Sequence, residues 1–159
     1  YYYKPNKDAI DELNNNIFPI LIKRYPNLKL VLTGGGLDKK YPWLINKNIV
    51  PKNKLYNYIR HAICMCVPLK FGSGTRIKIL ETLCLGGIVI SSKKGIEGID
   101  LKKKNPPFIY AKKNHLIKKI YFVLKNEKTV RKMAISERNY YKNKYSMKIK
   151  TKEFIEKFF

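Results

Sequence analysis

Short apolar runs alternate along the chain with longer segments whose apolar residues recur at helical spacing. The short runs predict buried strands, at residues 28–32, 61–67, 88–91 and 108–110. The longer segments predict helices, at residues 55–61, 76–85, 115–124, 129–145 and 147–159. Alternation of strands and helices is typical of an α/β fold, so we expect a three-layer domain around a mainly parallel sheet.

Proline and polar residues divide the N-terminal part of the chain. A Lys-Pro-Asn loop is expected at residues 4–6, and Asn6 or Asp8 would cap the helix that follows. Pro19 would kink this helix. Its predicted apolar face consists of Ala9, Ile10, Leu13, Ile17, Ile20 and Leu21. A further short strand is expected at residues 48–50, where it would end at a proline.

The stretch from residue 68 to residue 99 has the most specific chemical pattern. Residues 72–75, Gly-Ser-Gly-Thr, lie between a predicted strand and a predicted helix. Glycine lets a backbone approach a ligand closely, and Thr75 is a favourable helix N-cap. Free N–H groups and the helix dipole attract anions there, and Arg76 and Lys78 would add positive charge. The stretch therefore predicts a phosphate site at the carboxyl end of a strand.

Glu81 adds a hydrogen-bond acceptor to this predicted phosphate site. It lies about six residues into the helix, or roughly 9 Å along the axis. A carboxylate repels phosphate but accepts hydrogen bonds from sugar hydroxyls, so the combination describes the diphosphate and ribose of a nucleotide. The alternative is a simple glycine turn with Glu81 paired to Lys78 across one helical turn. The loop is neither a Walker A motif nor G-x-G-x-x-G.

Other candidate positions give weaker signals. Three glycines at residues 34–36 follow a predicted strand, and they form either a second ligand loop or a flexible turn. His61 and His115 have no partner at catalytic spacing, and we interpret both as structural. The cysteines lack metal-ligand spacing and are expected to be buried thiols in a reducing compartment; they are Cys64, Cys66 and Cys84. We therefore expect no metal and no cofactor, and no catalytic residue is identified.

Composition adds a strong positive charge. The 159 residues carry a formal net charge of +23, yet Arg accounts for five of the 34 basic residues. A protein that reads bases would favour Arg, so specific nucleic-acid recognition is not expected. Compositional bias with a general preference for anions, or attraction to an anionic membrane surface, remain as explanations. The sequence has no apolar run long enough to span a membrane and no visible signal peptide. Because it begins with Tyr1, we expect it to be part of a longer or processed polypeptide.

The motifs in order resemble a known family. The run GSGTRIKILETLCLGGIVISSKKGIEGI is similar to the donor-binding motif of the group 1 glycosyltransferases of GT-B fold, which typically show G-S-G-T-R-x-K-x-L-E, a V-I-S strand and a G-x-E-G-I turn. The motifs K-P-N-K-D-A-I, F-P, Y-P-N-L-K-L and G-G-G resemble the opening segment of the family. Tyr-Ser-Met at residues 145–147 resembles the start of its closing segment.

This resemblance implies a Rossmann-like, C-terminal, donor-binding half of a GT-B enzyme. Residues 1–159 would form a single domain, and the N-terminal acceptor domain is absent from this sequence. The implied reaction moves a sugar from a nucleoside-diphosphate sugar to an unknown glycan or lipid acceptor, in polysaccharide biosynthesis. The implied location is cytoplasmic, with a peripheral position at the inner face of a membrane as a variant. An isolated half would have little or no activity.

The resemblance also implies roles for individual residues. Glu81 would bind the ribose, the backbone of Val50 would contact the base, and Ser73 occupies a position where many relatives have a second Glu. The implied donor-binding residues are Gly34, Gly35, Val50, Gly72, Ser73, Gly74, Thr75, Arg76, Lys78 and Glu81. Two other functions stay open. One is a non-catalytic basic module for an anionic membrane surface or nucleic acid, and the other is an inactive protein that binds sugar nucleotides.

Overall fold

A computed structural model describes most of the chain, namely residues 3–34, 40–74, 76–101, 108–110 and 112–146. Its helices are α1 (Lys4–Glu12), α2 (Phe18–Arg24), α3 (Lys52–His61), α4 (Ile77–Cys84), α5 (Lys113–Lys125) and α6 (Glu127–Lys144). Its strands are β1 (Leu30–Leu32), β2 (Leu44–Asn46), β3 (Met65–Val67), β4 (Val89–Ser92) and β5 (Phe108–Tyr110). Helices and strands alternate, as the apolar pattern predicted. The helix predicted at residues 147–159 lies outside the described residues.

All the described strand pairs are parallel. Strand β1 pairs with β2, and β4 lies between β3 and β5 in a second group. In the second group Ile90 is opposite Cys66 on one side and Phe108 on the other. Parallel strands need crossover connections, and α4 supplies the one between β3 and β4. This strand–loop–helix–strand unit puts the Gly-rich loop at the carboxyl end of β3.

Helices cover both faces of the strands. Alternate residues of β4 point to opposite faces: Ile90 belongs to one apolar cluster and Val89 to another. The first cluster is formed mainly by a π-helical segment (Leu13–Ile17), α2 and α5. Its residues from these elements are Leu13, Ile17, Phe18, Leu21, Leu116, Ile120 and Val123. The second is formed mainly by α4 and part of α6, through Ile79, Leu83 and Tyr141. The fold is thus the expected three-layer, Rossmann-like α/β arrangement, and burial of each large apolar side chain contributes about 1.5–3 kcal/mol.

The N-terminal helix begins earlier than the sequence suggested. Residues 4–6 are not a loop: Pro5 lies in the first turn of α1, where its missing N–H costs nothing, and Tyr3 is the N-cap in place of Asn6 or Asp8. A π-helical segment, Leu13–Ile17, interrupts the helix just before Pro19, in agreement with the expected irregularity. Ile20 was predicted to face the core but is 39% exposed.

The strand expected at residues 48–50 was wrongly placed. The strand is Leu44–Asn46, which pairs with β1, and Ile49 is 85% exposed. Trp43 precedes this strand, and its indole N–H donates to the Asn14 side chain at 3.1 Å. This long-range hydrogen bond helps to fix the strand's position, and a short apolar run does not reveal it.

The end of α4 agrees with the prediction from Gly86-Gly87. Gly86 has φ of +75°, its N–H donates to the Leu83 carbonyl at 3.1 Å, and the Gly87 N–H donates to the Thr82 carbonyl at 2.8 Å. These two hydrogen bonds form a Schellman motif, which satisfies the last carbonyls of a helix. Within the described part of the chain, no helix has the length and hydropathy needed to span a bilayer.

Candidate functional site

The Gly-rich loop joins β3 to the start of α4. Helix α4 begins at Ile77, and Arg76 is its N-cap, with no hydrogen bond from the cap side chain to the helix backbone. Thr75 was predicted to be this cap; the cap is Arg76, and Thr75 itself lies outside the described residues. Among the described residues no side chain caps the helix, and the Ile79 N–H already donates to the Arg76 carbonyl at 2.8 Å, so the N–H groups of Ile77 and Lys78 are the ones left for a ligand.

Arg76 is the most unusual residue of the site. Its side chain turns back over the loop, and the residue is only 7% exposed. Nη1 donates to the Gly74 carbonyl at 2.6 Å and to the carbonyl of Ser73. Nε and Nη2 are buried, and no group in the described part of the chain accepts a hydrogen bond from them. Buried polar groups almost always have partners, because an unpaired one costs about 1–3 kcal/mol, and more when it is charged. This pair of free donors indicates that the site is incomplete without a ligand.

Gly72 lies at the most crowded point of the loop. Its φ is +113°, and a Cβ there would lie 2.5 Å from the Tyr3 hydroxyl, 3.0 Å from Arg76 Nη2 and 3.1 Å from Pro5 Cγ. A side chain at this position would be strained by its backbone conformation and would also collide with its neighbours. The start of α1 and Arg76 therefore close over the loop at a position that only glycine fits.

Lys78 does not pair with Glu81, which was the structural alternative considered from the sequence. Its ammonium instead donates to the Asn6 side chain on α1 at 2.9 Å. Burial, followed by the positive charge of Arg76, lowers the pKa of Lys78. An anion placed next to both cations would remove part of this repulsion.

Glu81 faces α3. The Tyr56 hydroxyl donates to Glu81 Oε1 at 3.4 Å, a long hydrogen bond. Lys52 lies over the Tyr56 ring, 5.5 Å from its centroid. Interaction with Tyr56 and then the charge of Glu81 raise the pKa of Lys52. Glu81 is half-buried, and it forms no ion pair with another described residue. Its carboxylate oxygens can therefore still accept hydrogen bonds from hydroxyl groups.

Gly34 and Val50, near the ends of β1 and β2, are connected to Glu81 through α3. Gly34 follows β1, and its N–H donates to the Asn48 carbonyl at 2.7 Å. Val50 lies two residues further on, immediately before the Pro51 cap of α3. The structure therefore brings Gly34 close to the Val50 segment, and α3 connects that segment to Glu81. Gly35 lies outside the described residues.

Sequence reasoning missed the residues that support this site. Tyr3 and Asn6 contact the loop and α4 from the start of α1. From α3, Tyr56 contacts Glu81, and Lys52 interacts with it through its charge. None of them belongs to a motif within the Gly-rich stretch. The K-P-N run resembles the opening segment of the family, but the sequence pattern predicted a loop there and no contact with Lys78.

The cysteines lie away from this site. All three are free thiols, but they are half-buried, whereas buried thiols were expected. The sulfurs of Cys64 and Cys66 are 3.8 Å apart. The hydrogen bond with Cys64, together with burial, raises the pKa of Cys66 well above its ordinary value. In the described residues no three side chains of His, Cys, Asp or Glu come together as metal ligands.

Comparison with known proteins gives one family. The model of the family described as glycosyl transferases group 1 matches residues 2–126, which include the Gly-rich loop, α3 and α4. No curated protein matches the chain.

Proposed function

The chain belongs to the group 1 glycosyltransferases, and we propose that it is the part of such an enzyme that binds the nucleoside-diphosphate sugar. Glycosyl transfer is the reaction of this family. In our proposal residues 1–159 form the donor-binding domain, and a separate domain supplies the acceptor, a glycan or lipid. We further propose a cytoplasmic location.

The observation that carries this proposal is the partly satisfied guanidinium of Arg76. Two of its nitrogens are buried without acceptors among the described residues, directly beside a Gly-rich loop and the N-terminus of α4. A phosphate group is the ligand that best satisfies a planar cationic donor together with backbone N–H groups. Lys78, with its lowered pKa, lies on the same turn and supplies a second positive charge.

The diphosphate is also the leaving group of sugar transfer. When the bond between the sugar and the diphosphate breaks, negative charge grows on the departing phosphate oxygen. Donors already fixed around that oxygen stabilise the charge without reorganisation, and Arg76 and the loop N–H groups are held in this way by the fold. The donors that hold the diphosphate would therefore also promote the reaction.

Glu81 would select a nucleotide over a simple phosphate. Its carboxylate lies on the same helix as Arg76, five residues further on, or roughly 7.5 Å along the axis. This spacing suits a ribose attached to a diphosphate. Gly34, Gly35 and the backbone of Val50 would contact the sugar and the base from the other side.

The high positive charge favours a second function. A net charge of +23 attracts anionic lipid surfaces or nucleic acids without any nucleotide site. A non-catalytic basic module of this kind predicts steep salt dependence and no preference for a nucleoside diphosphate. The charge is also compatible with a donor-binding domain that works next to a membrane.

Amide NMR with UDP, GDP and ADP as separate titrants tests the proposal. We expect saturable shifts that are largest for the amides of Gly72, Ser73 and Gly74. The largest shifts at the lysine-rich residues 102–104 would contradict the site. If none of the three nucleotides binds while anionic vesicles bind in a salt-dependent way, the basic-module function replaces it.

A further inference from the structure

Tyr3 lies directly over the Gly-rich loop. It is the N-cap of α1, and its hydroxyl oxygen accepts a hydrogen bond from the Ser73 N–H at 3.3 Å. The same oxygen lies 2.5 Å from the position that a Gly72 Cβ would occupy. The residue is 46% exposed, so its ring borders both the loop and solvent.

The hydroxyl of Tyr3 still has a proton to donate. A phenol can accept one hydrogen bond and donate another, and among the described residues no side chain or carbonyl accepts this proton. Because the oxygen already accepts from Ser73, the O–H bond is polarised and becomes a better donor. Arg76 Nη2, also unpartnered, lies 3.0 Å from the same point above Gly72. The Tyr3 hydroxyl and Arg76 Nη2 therefore both lie beside Gly72, and of the two residues Tyr3 is the one open to solvent, whereas Nη2 is buried.

We propose that Tyr3 is a donor-binding residue whose phenolic O–H donates a hydrogen bond to an oxygen of the diphosphate. This inference rests on the proposed function, and it adds a neutral donor to the cations of the site. In this arrangement α1 contributes directly to the phosphate site, in addition to packing against the core.

The same geometry allows an opposite role, and the two roles predict opposite results. If Tyr3 only occupied the Ser73 N–H, it would compete with the phosphate for that donor, and removal of the hydroxyl would tighten binding. If Tyr3 donates to the phosphate, removal weakens binding. We favour donation because a phenol is both donor and acceptor and only its acceptor side is used.

The substitution Tyr3→Phe tests the inference by calorimetry with UDP and with inorganic pyrophosphate. We expect affinity for both ligands to fall about tenfold, as for loss of a hydrogen bond to a charged group. Tyr121→Phe is the matched control, since its hydroxyl contacts the Ile20 carbonyl at 3.4 Å, on a different pair of helices. This control should leave both affinities unchanged. The ring is kept in both variants, so melting temperatures should stay close to that of the wild type.

Amide spectra of the unliganded Tyr3→Phe protein separate direct donation from a purely positioning role. Direct donation predicts shifts confined to Ser73 and the neighbours of Tyr3. Weaker binding combined with shifts throughout residues 72–76 would mean that Tyr3 acts by holding the loop, which overturns the inference. Unchanged or tighter binding by Tyr3→Phe also overturns it while the proposed function stands. Absence of UDP and pyrophosphate binding by the wild type overturns both.

Discussion

Arg76 and Arg131 illustrate two different uses of a guanidinium in this fold. Arg131, on α6, donates to the carbonyls of Arg60 and Ala62 at 2.9 and 3.1 Å and to Glu127 at 2.9 Å. It fixes α6 to the end of α3, and its hydrogen bonds are shared between two carbonyls and one carboxylate. Arg76 is more deeply buried, yet two of its nitrogens find no acceptor within residues 3–34, 40–74, 76–101, 108–110 and 112–146.

The hydrogen bonding of the two arginines differs between a contact that stabilises the fold and a site that can bind a ligand. At the junction of α3 and α6, the cation and its carboxylate satisfy each other, so the contact stabilises the fold. At the Gly-rich loop, the charges of Arg76 and Glu81 are left with unused hydrogen-bonding capacity. A fold keeps such groups at a cost in stability, and sites of ligand binding are where that cost is offset.

The largest expected effect comes from replacement of the two arginines. Arg76→Met should weaken UDP binding about 30-fold, roughly 2 kcal/mol, since charge-assisted bonds to the diphosphate are lost. Its free energy of unfolding should change by less than about 0.5 kcal/mol, because the loss of two loop hydrogen bonds is offset by the removal of two unpaired buried donors. Calorimetry and urea denaturation measure the two quantities.

Arg131→Met is the matched control and should behave in the opposite way. It should lower the free energy of unfolding by about 1–2 kcal/mol, because two hydrogen bonds from α6 to the end of α3 and one ion pair within α6 are lost. UDP affinity should be unchanged. If Arg76→Met destabilises the protein as much as Arg131→Met does and leaves UDP binding intact, the contrast between the two regions is wrong.

Replacement of the carboxylates Glu81 and Glu127 should have smaller effects than replacement of the arginines. Glu81→Gln keeps the shape of the side chain and removes its charge, so UDP should bind about tenfold more weakly, roughly 1.4 kcal/mol, through loss of ribose hydrogen bonds. Pyrophosphate has no ribose, and its affinity should change much less or improve. Glu127→Gln should leave both affinities unaltered and reduce stability by at most about 1 kcal/mol, because its ion pair is partly exposed. Equal losses for UDP and pyrophosphate in Glu81→Gln would contradict the ribose role.

The smallest expected effect is a pH dependence from Lys78. Burial and Arg76 lower the pKa of Lys78, so it loses its charge at a lower pH than an ordinary lysine. A lysine is cationic below its pKa, so in alkaline solution UDP affinity should fall about fivefold as the pH rises through the lowered pKa. Lys78→Arg stays cationic and should flatten this fall between pH 8 and pH 10. Calorimetry over this range checks the expectation, and parallel profiles for the two proteins would exclude Lys78 as the titrating group.

Local sequence signals were enough to predict most of the elements and the position of the Gly-rich loop between a strand and a helix. The predicted strand at residues 61–67 and the predicted helix at 76–85 correspond to β3 and α4, and Gly86-Gly87 ends the helix as expected. These features depend on the period of apolar residues and on backbone preferences within a few residues, which a sequence contains directly. The same is true of the Gly-rich loop and of the positions of Arg76 and Glu81 on one helix.

Tertiary structure decided which groups meet. The Ser73 N–H and the Tyr3 hydroxyl are 70 residues apart along the chain, and Lys78 and Asn6 are 72 apart. Neither pair follows from local spacing, because packing of α1 against the β3–α4 unit creates both contacts. Packing also placed the second strand at Leu44–Asn46 and left two nitrogens of Arg76 without acceptors. A sequence can specify that an arginine follows a glycine loop, but only the folded chain determines whether its donors are satisfied, since the available acceptors come from distant segments.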